Sequence, residues 1–317
     1  MKVVVAGASG LIGRKLVKEL RGRGDEVIAL VRGAQEIPGA RAVSWDGRGE
    51  GAWKSAIDGA DAVVNLAGAT VARRWNAEVK RDILESRTQS TKALVDAITA
   101  SARKPRVLVN ASAVGYYGGR GDELIDERST PGTDFLSGVV KAWEEEAAKA
   151  PVRTVLLRTG IVLSKTGGAL EKMLPPFRAF VGGPIGNGRQ WLPWIHIDDE
   201  VLAIVWAIDH EDLSGPVNLT APAPVTNAEF SKSLGKVLHR PSWAPVPGPA
   251  LHLLLGEFAG VLLEGQRAVP ARLQQSGFPF RFPALPAALE DLLGQGAVRS
   301  SEAAPRSAAP SSTTSTS

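Results

Sequence analysis

The residues able to move a proton in this chain are few. It has two tyrosines, four histidines and no cysteine, which excludes thiolate nucleophiles, thiolate-bound metals and disulfides. Both tyrosines, Tyr116 and Tyr117, fall in the glycine-rich stretch NASAVGYYGGRG, so any tyrosine-dependent mechanism must use one of them. His196 in QWLPWIHIDD is an acid or base near neutral pH, or else a histidine bonded between a loop and a helix start. Asp198 and Asp199 beside it are expected to cap the helix that follows. Trp191 and Trp194 either stack on a substrate ring or fill a gap between lobes. The histidines show no metal-ligand spacing.

A second kind of chemistry lies at the N-terminus. GASGLIG (7–13) follows an apolar run and opens a helical pattern. Gly7 permits a tight turn, Gly10 lets the backbone approach a pyrophosphate, and Gly13 allows close helix–strand packing. With Ser9, Leu11 and Ile12 between the glycines, the loop offers free N–H groups and a positive dipole end to phosphate. The second strand-like run ends in Val31-Arg32 with no acid for a ribose 2′-hydroxyl. Arg32 suits a 2′-phosphate instead, and Arg14 adds charge, so NADP is favoured over NAD. The alternative is that both arginines are surface residues at element ends. Leu66, Ala67 and Gly68 in NLAG end a further strand, where the adenine and ribose side of a dinucleotide would pass or where the chain simply turns.

These residues need a scaffold, and the apolar runs supply one. KVVVA (2–6), EVIALVR (26–32), DAVVNLAG (61–68), PRVLVNASA (105–113) and VRTVLLRTGIVLS (152–164) read as buried strands with helical stretches between the early ones. That pattern predicts a doubly wound parallel α/β sheet. After residue 165 a Gly/Pro/Trp-rich loop precedes the helix VLAIVWAID, the strand PVNLTA (216–221), a helix capped at Thr226 or Asn227 with Glu229 in its first turn, and a helical stretch over 249–264. The Ser/Ala/Thr/Pro tail from 296 is expected to be disordered.

The net charge of +4 and pI near 9.4 come without a basic run or basic–aromatic interleaving, so nucleic acid is not the expected partner. The apolar stretch 250–264 contains Glu257 and is shorter than a bilayer span. The opening MKVVVAGASG has too short an apolar run for a signal peptide, which predicts a cytoplasmic protein.

GASGLIG, NLAG, NASAVGYYG, RTGIVLS and PWIHIDDEV in this order resemble the extended short-chain dehydrogenase/reductase superfamily. RRWN, LPPF, GGPIGNGRQWLPWIHIDD and LEGQRAVP resemble more closely its atypical "epimerase family" oxidoreductases, over residues 1 to about 293. The resemblance implies an NADP(H)-binding Rossmann domain and a small C-terminal domain. It places cofactor contacts at the glycine loop, Val31, Arg32, Leu66, Ala67, Asp82, Arg87 and Val162. Arg87 fits as a second cation near the phosphates; Asp82 fits only as a partner for a hydroxyl.

In that superfamily a serine polarises the substrate oxygen, a tyrosine exchanges the proton, and a lysine one helical turn later lowers the tyrosine pKa. Ser112 matches the serine, with a strand-end cap as its plainer role. Tyr117 matches a tyrosine that is structural or lines the substrate site. The tyrosine–lysine helix should be FLSGVVKAWEEE (135–146), anchored by Trp143 and Glu144. Its register puts Phe135 or Leu136 at the tyrosine position and Val139 or Val140 at the lysine position. Lys141 is adjacent but about 100° around the helix.

The sequence therefore predicts an NADP(H)-binding Rossmann domain over 1–164, rejoined by 197–222, and a smaller α/β substrate lobe mainly within 165–295. The function expected is an NADP(H)-dependent oxidoreductase or epimerase-like enzyme acting on a small carbonyl or hydroxyl compound, nucleotide sugars among the candidates. Ser112, Tyr116, Tyr117 and His196 are its candidate catalytic residues. An NADP(H)-binding sensor without turnover is the alternative. Partners are confined to a small molecule, with no nucleic acid and no membrane; the oligomeric state is not fixed by sequence.

Overall fold

The computed structural model describes residues 1–294; the tail expected to be disordered lies outside the described residues. Six apolar runs, with a short exposed segment the sequence did not signal, form seven strands: β1 (Lys2–Ala6), β2 (Glu26–Val31), β3 (Arg41–Ser44, the unsignalled one), β4 (Ala62–Asn65), β5 (Val107–Ala113), β6 (Arg153–Thr159) and β7 (Gly215–Leu219). All pair in parallel in the order β7-β6-β5-β4-β1-β2-β3. Except at the exposed edge strand β3, both faces are covered, which is why the other strands are largely apolar rather than alternating. In β1, Val3 and Val5 enter one core while Val4 and Ala6 enter the other.

The helices are α1 (Leu11–Gly22), α2 (Lys54–Ile57), α3 (Ala77–Ala100), α4 (Phe135–Ala147), α5 (Gly168–Arg178), α6 (Ile197–Asp209), α7 (Asn227–Leu238), α8 (Gly248–Leu255), α9 (Phe258–Leu263), α10 (Ala271–Gln275) and α11 (Leu285–Leu293). Helices α1 and α6 pack on one face of the sheet; α2 and α3 pack on the other, with the end of α4. A third core joins α5, α7 and α11 around Trp194, which is 1% exposed. Thr226 caps α7 in a reciprocal box with Glu229. The single helical stretch expected over 249–264 is two helices, α8 and α9, separated at Gly256 and Glu257.

The C-terminal segment returns to the sheet. Arg267–Ala268 pairs in parallel with Leu124–Ile125. Asn218 Nδ2 donates to Val269 O at 2.9 Å, and Glu127 Oε1 accepts from the N–H groups of Asn218 and Arg272. Leu273 and Phe278 complete the α1/α6 core. No helix among the described residues is long and apolar enough to cross a membrane, and no described cluster of His, Asp or Glu could hold a metal ion.

Candidate functional site

Parallel pairing brings the C-terminal ends of β1, β2 and β4 to one edge, with the order reversing between β1 and β4. Such a reversal opens a crevice at the strand ends. Gly7 turns there with φ +77°, and a Cβ on it would lie 2.7 Å from the Leu66 carbonyl group. A Cβ on Gly13 would come within 2.3 Å of the Gly7 carbonyl oxygen. No side chain caps α1, its first turn holds no acid, and the N–H groups of Leu11, Ile12 and Gly13 find no acceptor among the described residues. Donors left free beside a positive helix end fit a pyrophosphate.

Cations flank this loop. Arg32 stands exposed after β2, with no hydrogen bond or ion pair among the described residues. Arg14 stays beside the loop, its Nε donating to Ser9 O at 2.8 Å. Arg87 on α3 reaches back under Gly68, stacks on Trp143 at 5.1 Å, and donates to Ile83 O. Burial pushes its guanidinium down to about 10, partly offset by the charge of Asp82. Among the described residues no carboxylate pairs with Arg87, which is half-buried, so an arriving anion would meet a partly dehydrated cation. Asp82 itself forms an ion pair with Arg73 at 2.5 Å on the half-exposed side of α3.

Gly7, Gly10, the 11–13 start of α1, Leu66, Arg87 and Val162 line one cavity of about 720 Å³. Val31 is buried behind it, while Ser9, Arg32, Ala67, Gly68 and Asp82 are not part of its wall. Opposite the glycine loop stands α4. Phe135, Leu136, Val139 and Val140, the four residues at the expected tyrosine and lysine positions, all face this cavity. Lys141 points away and is 59% exposed, near Glu145. The cavity continues past α4 to Trp75, Trp191, Phe258 and Val261.

The structure does not bring the four sequence-predicted catalytic residues into this wall. Ser112 Oγ donates to Glu144 Oε1 at 2.6 Å, and Glu144 is paired with Arg158. Arg158 Nη1 donates to the Tyr117 hydroxyl, which donates to Asn218 Oδ1 at 2.7 Å. Tyr117 is fully buried, and burial pushes its phenol up to about 12 against the pull of Arg158. The Tyr116 ring lies 3.5 Å from the Arg158 guanidinium. Ser112 and Tyr117 thus belong to a buried network outside the cavity wall, with the half-buried Tyr116 packed against it.

His196 is also outside the wall. Its Nδ1 accepts from Asp198 N at 3.1 Å, so the histidine, not either aspartate, caps α6. Burial lowers its pKa, although Nε2 lies 3.2 Å from Asp291 without the alignment of a hydrogen bond. Asp198 instead pairs with Lys15, and Asp199 accepts from the N–H groups of Arg281 and Phe282. The expected caps therefore serve as ties to α1 and to the C-terminal segment.

One pair was missed by sequence reasoning. Thr159, at the end of β6, lines the cavity, and its hydroxyl donates to Glu200 Oε1 at 2.9 Å. Glu200 is 1% exposed, its Oε2 has no partner, and burial pushes its pKa up to about 8, against the Thr159 hydrogen bond. It holds a proton at neutral pH behind a cavity-lining hydroxyl. Its signal was masked because Asp198-Asp199-Glu200 reads as an ordinary acidic helix start.

Comparison with known proteins places the chain. Residues 3–219 match the model of the NAD dependent epimerase/dehydratase family, and residues 246–292 match a domain of unknown function, DUF1731. The chain is 44% identical over 306 residues to the epimerase family protein SDR39U1 homolog, chloroplastic, of Arabidopsis thaliana, covering 92% of this chain and 87% of the relative. It is 42% identical over 283 residues to the epimerase family protein ML0860 of Mycobacterium leprae, covering 88% and 91%. The crystal structure of human epimerase family protein SDR39U1 (isoform 2) with NADPH superposes with a TM-score of 0.86 at 36% identity, covering 93% of this chain and all of that one.

Proposed function

This chain belongs to the NAD dependent epimerase/dehydratase family, and we propose that it is an NADP(H)-dependent oxidoreductase acting on a small carbonyl or hydroxyl compound. The observation that carries this reading is the continuity of the cavity, which runs from the glycine loop past α4 into a chamber with room for a second molecule. The NADPH in the human relative supports the choice of cofactor.

When bound, NADP(H) supplies or accepts a hydride. The free N–H groups at the start of α1 would hold its pyrophosphate, and Arg32, exposed after β2, would meet a 2′-phosphate. Arg87 adds positive charge next to Gly68. The apolar wall of Phe135, Leu136, Val139 and Val140 excludes water from the reacting face. In our reading the proton is handled by Thr159, with Glu200 as the store behind it, in place of the tyrosine–lysine pair. Ser112, Tyr116 and Tyr117 then serve as the braced wall behind the site, and His196 as the cap of α6.

The second reading, an NADP(H)-binding sensor, is favoured by the wholly apolar face of α4. Purified protein separates the two. Tight NADPH binding with oxidation of NADPH by members of a carbonyl panel supports the enzyme; the same binding with no oxidation by any member supports the sensor. No NADPH binding defeats both.

A further inference from the structure

We propose that the molecule held beside the cofactor is uncharged and largely apolar, a carbonyl or alcohol on an aromatic or branched hydrocarbon body, and not a nucleotide sugar. This rests on the cofactor reading above and goes beyond it to the class of substrate.

The far half of the cavity is hydrocarbon. Trp75 meets the rings of Phe135 and Phe258 at 5.1 and 5.7 Å, in edge and tilted geometry. Its indole N–H is already given to Val71 O at 2.9 Å, so the ring offers only its apolar faces. Leu136, Val261 and Met173 extend the same surface. An aromatic cluster of this kind favours flat or bulky apolar bodies.

Charge points the same way. Among the described residues the ionisable groups lining the cavity are Arg87, Asp134, Glu257 and Glu264, one cation against three carboxylates. Arg87 sits at the glycine-loop end, where the dinucleotide's own phosphates need it. Both oxygens of Asp134 are taken by the cap of α4, and Glu257 pairs with Lys80. Glu264 has no partner among the described residues. The arginines near the mouth are committed too, Arg73 to Asp82 and Arg74 to Leu253 O. A nucleoside diphosphate would bring two negative charges into a chamber whose lining holds three carboxylates and one cation, Arg87; the unpaired Arg267 lies outside that lining, stacked on Trp191 at 4.5 Å. Burying such unpaired charge is strongly unfavourable.

The polar hook for the substrate is correspondingly small. Gln190 and Gln266 give amide N–H groups to backbone carbonyls and Asn227 Oδ1 accepts from Ile185 N, which leaves the Thr159 hydroxyl and Gln190 Oε1 to meet a carbonyl or alcohol, few groups for the many hydroxyls of a sugar. Hydroxyl-rich ligands left unmatched in an apolar chamber lose their hydration without return.

The test is binding, so it does not depend on turnover. Protein saturated with NADP⁺ is titrated with benzylacetone, 2-decanone and UDP-glucose, followed by calorimetry and by ligand-observed NMR. The expected result is saturable binding of at least one ketone and none of UDP-glucose over the same range. Phe258→Ala should weaken ketone binding about tenfold or more and lower the melting temperature, because Phe258 is buried, while the NADP⁺ affinity of the folded protein stays close to that of the parent. UDP-glucose binding as tightly as the better ketone would overturn the proposal, as would binding of neither class or an unchanged ketone affinity in Phe258→Ala. Failure of the cofactor reading looks different, since NADP⁺ itself would then not bind. Failure of the enzyme reading alone would show as ketone binding without NADPH oxidation.

Discussion

Arg158 grips Glu144 with two parallel hydrogen bonds, Nε to Oε1 and Nη2 to Oε2, each 2.8 Å long and both residues buried. Burial pulls the Arg158 pKa down, but the hydrogen bonds and charge of Glu144 together with Tyr117 outweigh it and hold the pKa above its ordinary value. A strand residue and a helix residue are thereby locked, with Ser112 as a third member. This pair fixes the angle at which α4 presents its apolar face to the cavity.

Breaking the pair should be costly. Glu144→Gln leaves the Arg158 charge buried and uncompensated, and urea unfolding should show a loss of about 3–5 kcal/mol. Ser112→Ala removes one neighbour of an already satisfied carboxylate and should cost about 1 kcal/mol. NADPH affinity should be unchanged in Ser112→Ala, with oxidation rates close to the parent; a turnover defect without a stability defect would return Ser112 to a catalytic role.

Arg32 should decide between the two nicotinamide dinucleotides. Arg32→Ala is expected to weaken NADPH binding about 10- to 100-fold, the value of charged hydrogen bonds to a phosphate. NADH binding should hardly move. Equal losses for both in parallel titrations would show that Arg32 does not meet the 2′-phosphate.

Arg87 should behave differently. Arg87→Met is expected to lower the affinity for NADPH and NADH alike, by about tenfold. Its thermal stability in the absence of cofactor should not fall, because the substitution also removes a cation whose pKa burial has already lowered to about 10. A drop in cofactor-free stability with unchanged affinity would assign it to structure alone.

Glu200 makes stability depend on pH in a definite direction. Its ordinary pKa of 4.5 is raised to about 8 in the fold. Below the first value both states are protonated. Between the two the unfolded chain releases the proton and the folded chain keeps it, so stability falls as pH rises, by up to about 1.4 kcal/mol per unit. Above the second value the loss levels off. Melting curves of Glu200→Gln across this range should lack that component and lie above the parent at alkaline pH.

Much of this was open to a reader of the sequence. The runs that became β1, β2 and β5 are buried on both faces, so their apolar character alone identified them. The glycine loop is local in sequence, and its chemistry is local too. Helix α4 was legible as an absence, since Phe135, Leu136, Val139 and Val140 could be counted along one helix. What stayed hidden depends on residues far apart in the chain. Ser112 looked available because Glu144 and Arg158, which claim it, lie one helix and one strand further on. The charge in LLRTG was a signal, because an arginine inside a buried strand must have a partner, but the sequence does not say which. Asp198 and Asp199 read as caps by position, whereas α6 is capped by the ring of His196.

The return of the C-terminal segment has a consequence for how the molecule comes apart. Asn218 donates to Val269 O, Thr220 to Ala268 O, and Glu127 receives Arg272 N, all among buried or partly buried groups. Releasing residues 246–292 would strip these partners from the seventh strand and open the core at Leu273 and Phe278. The two matched segments are therefore expected to unfold together. Calorimetry should record a single melting transition, and a chain ending before residue 246 should melt earlier or fail to fold.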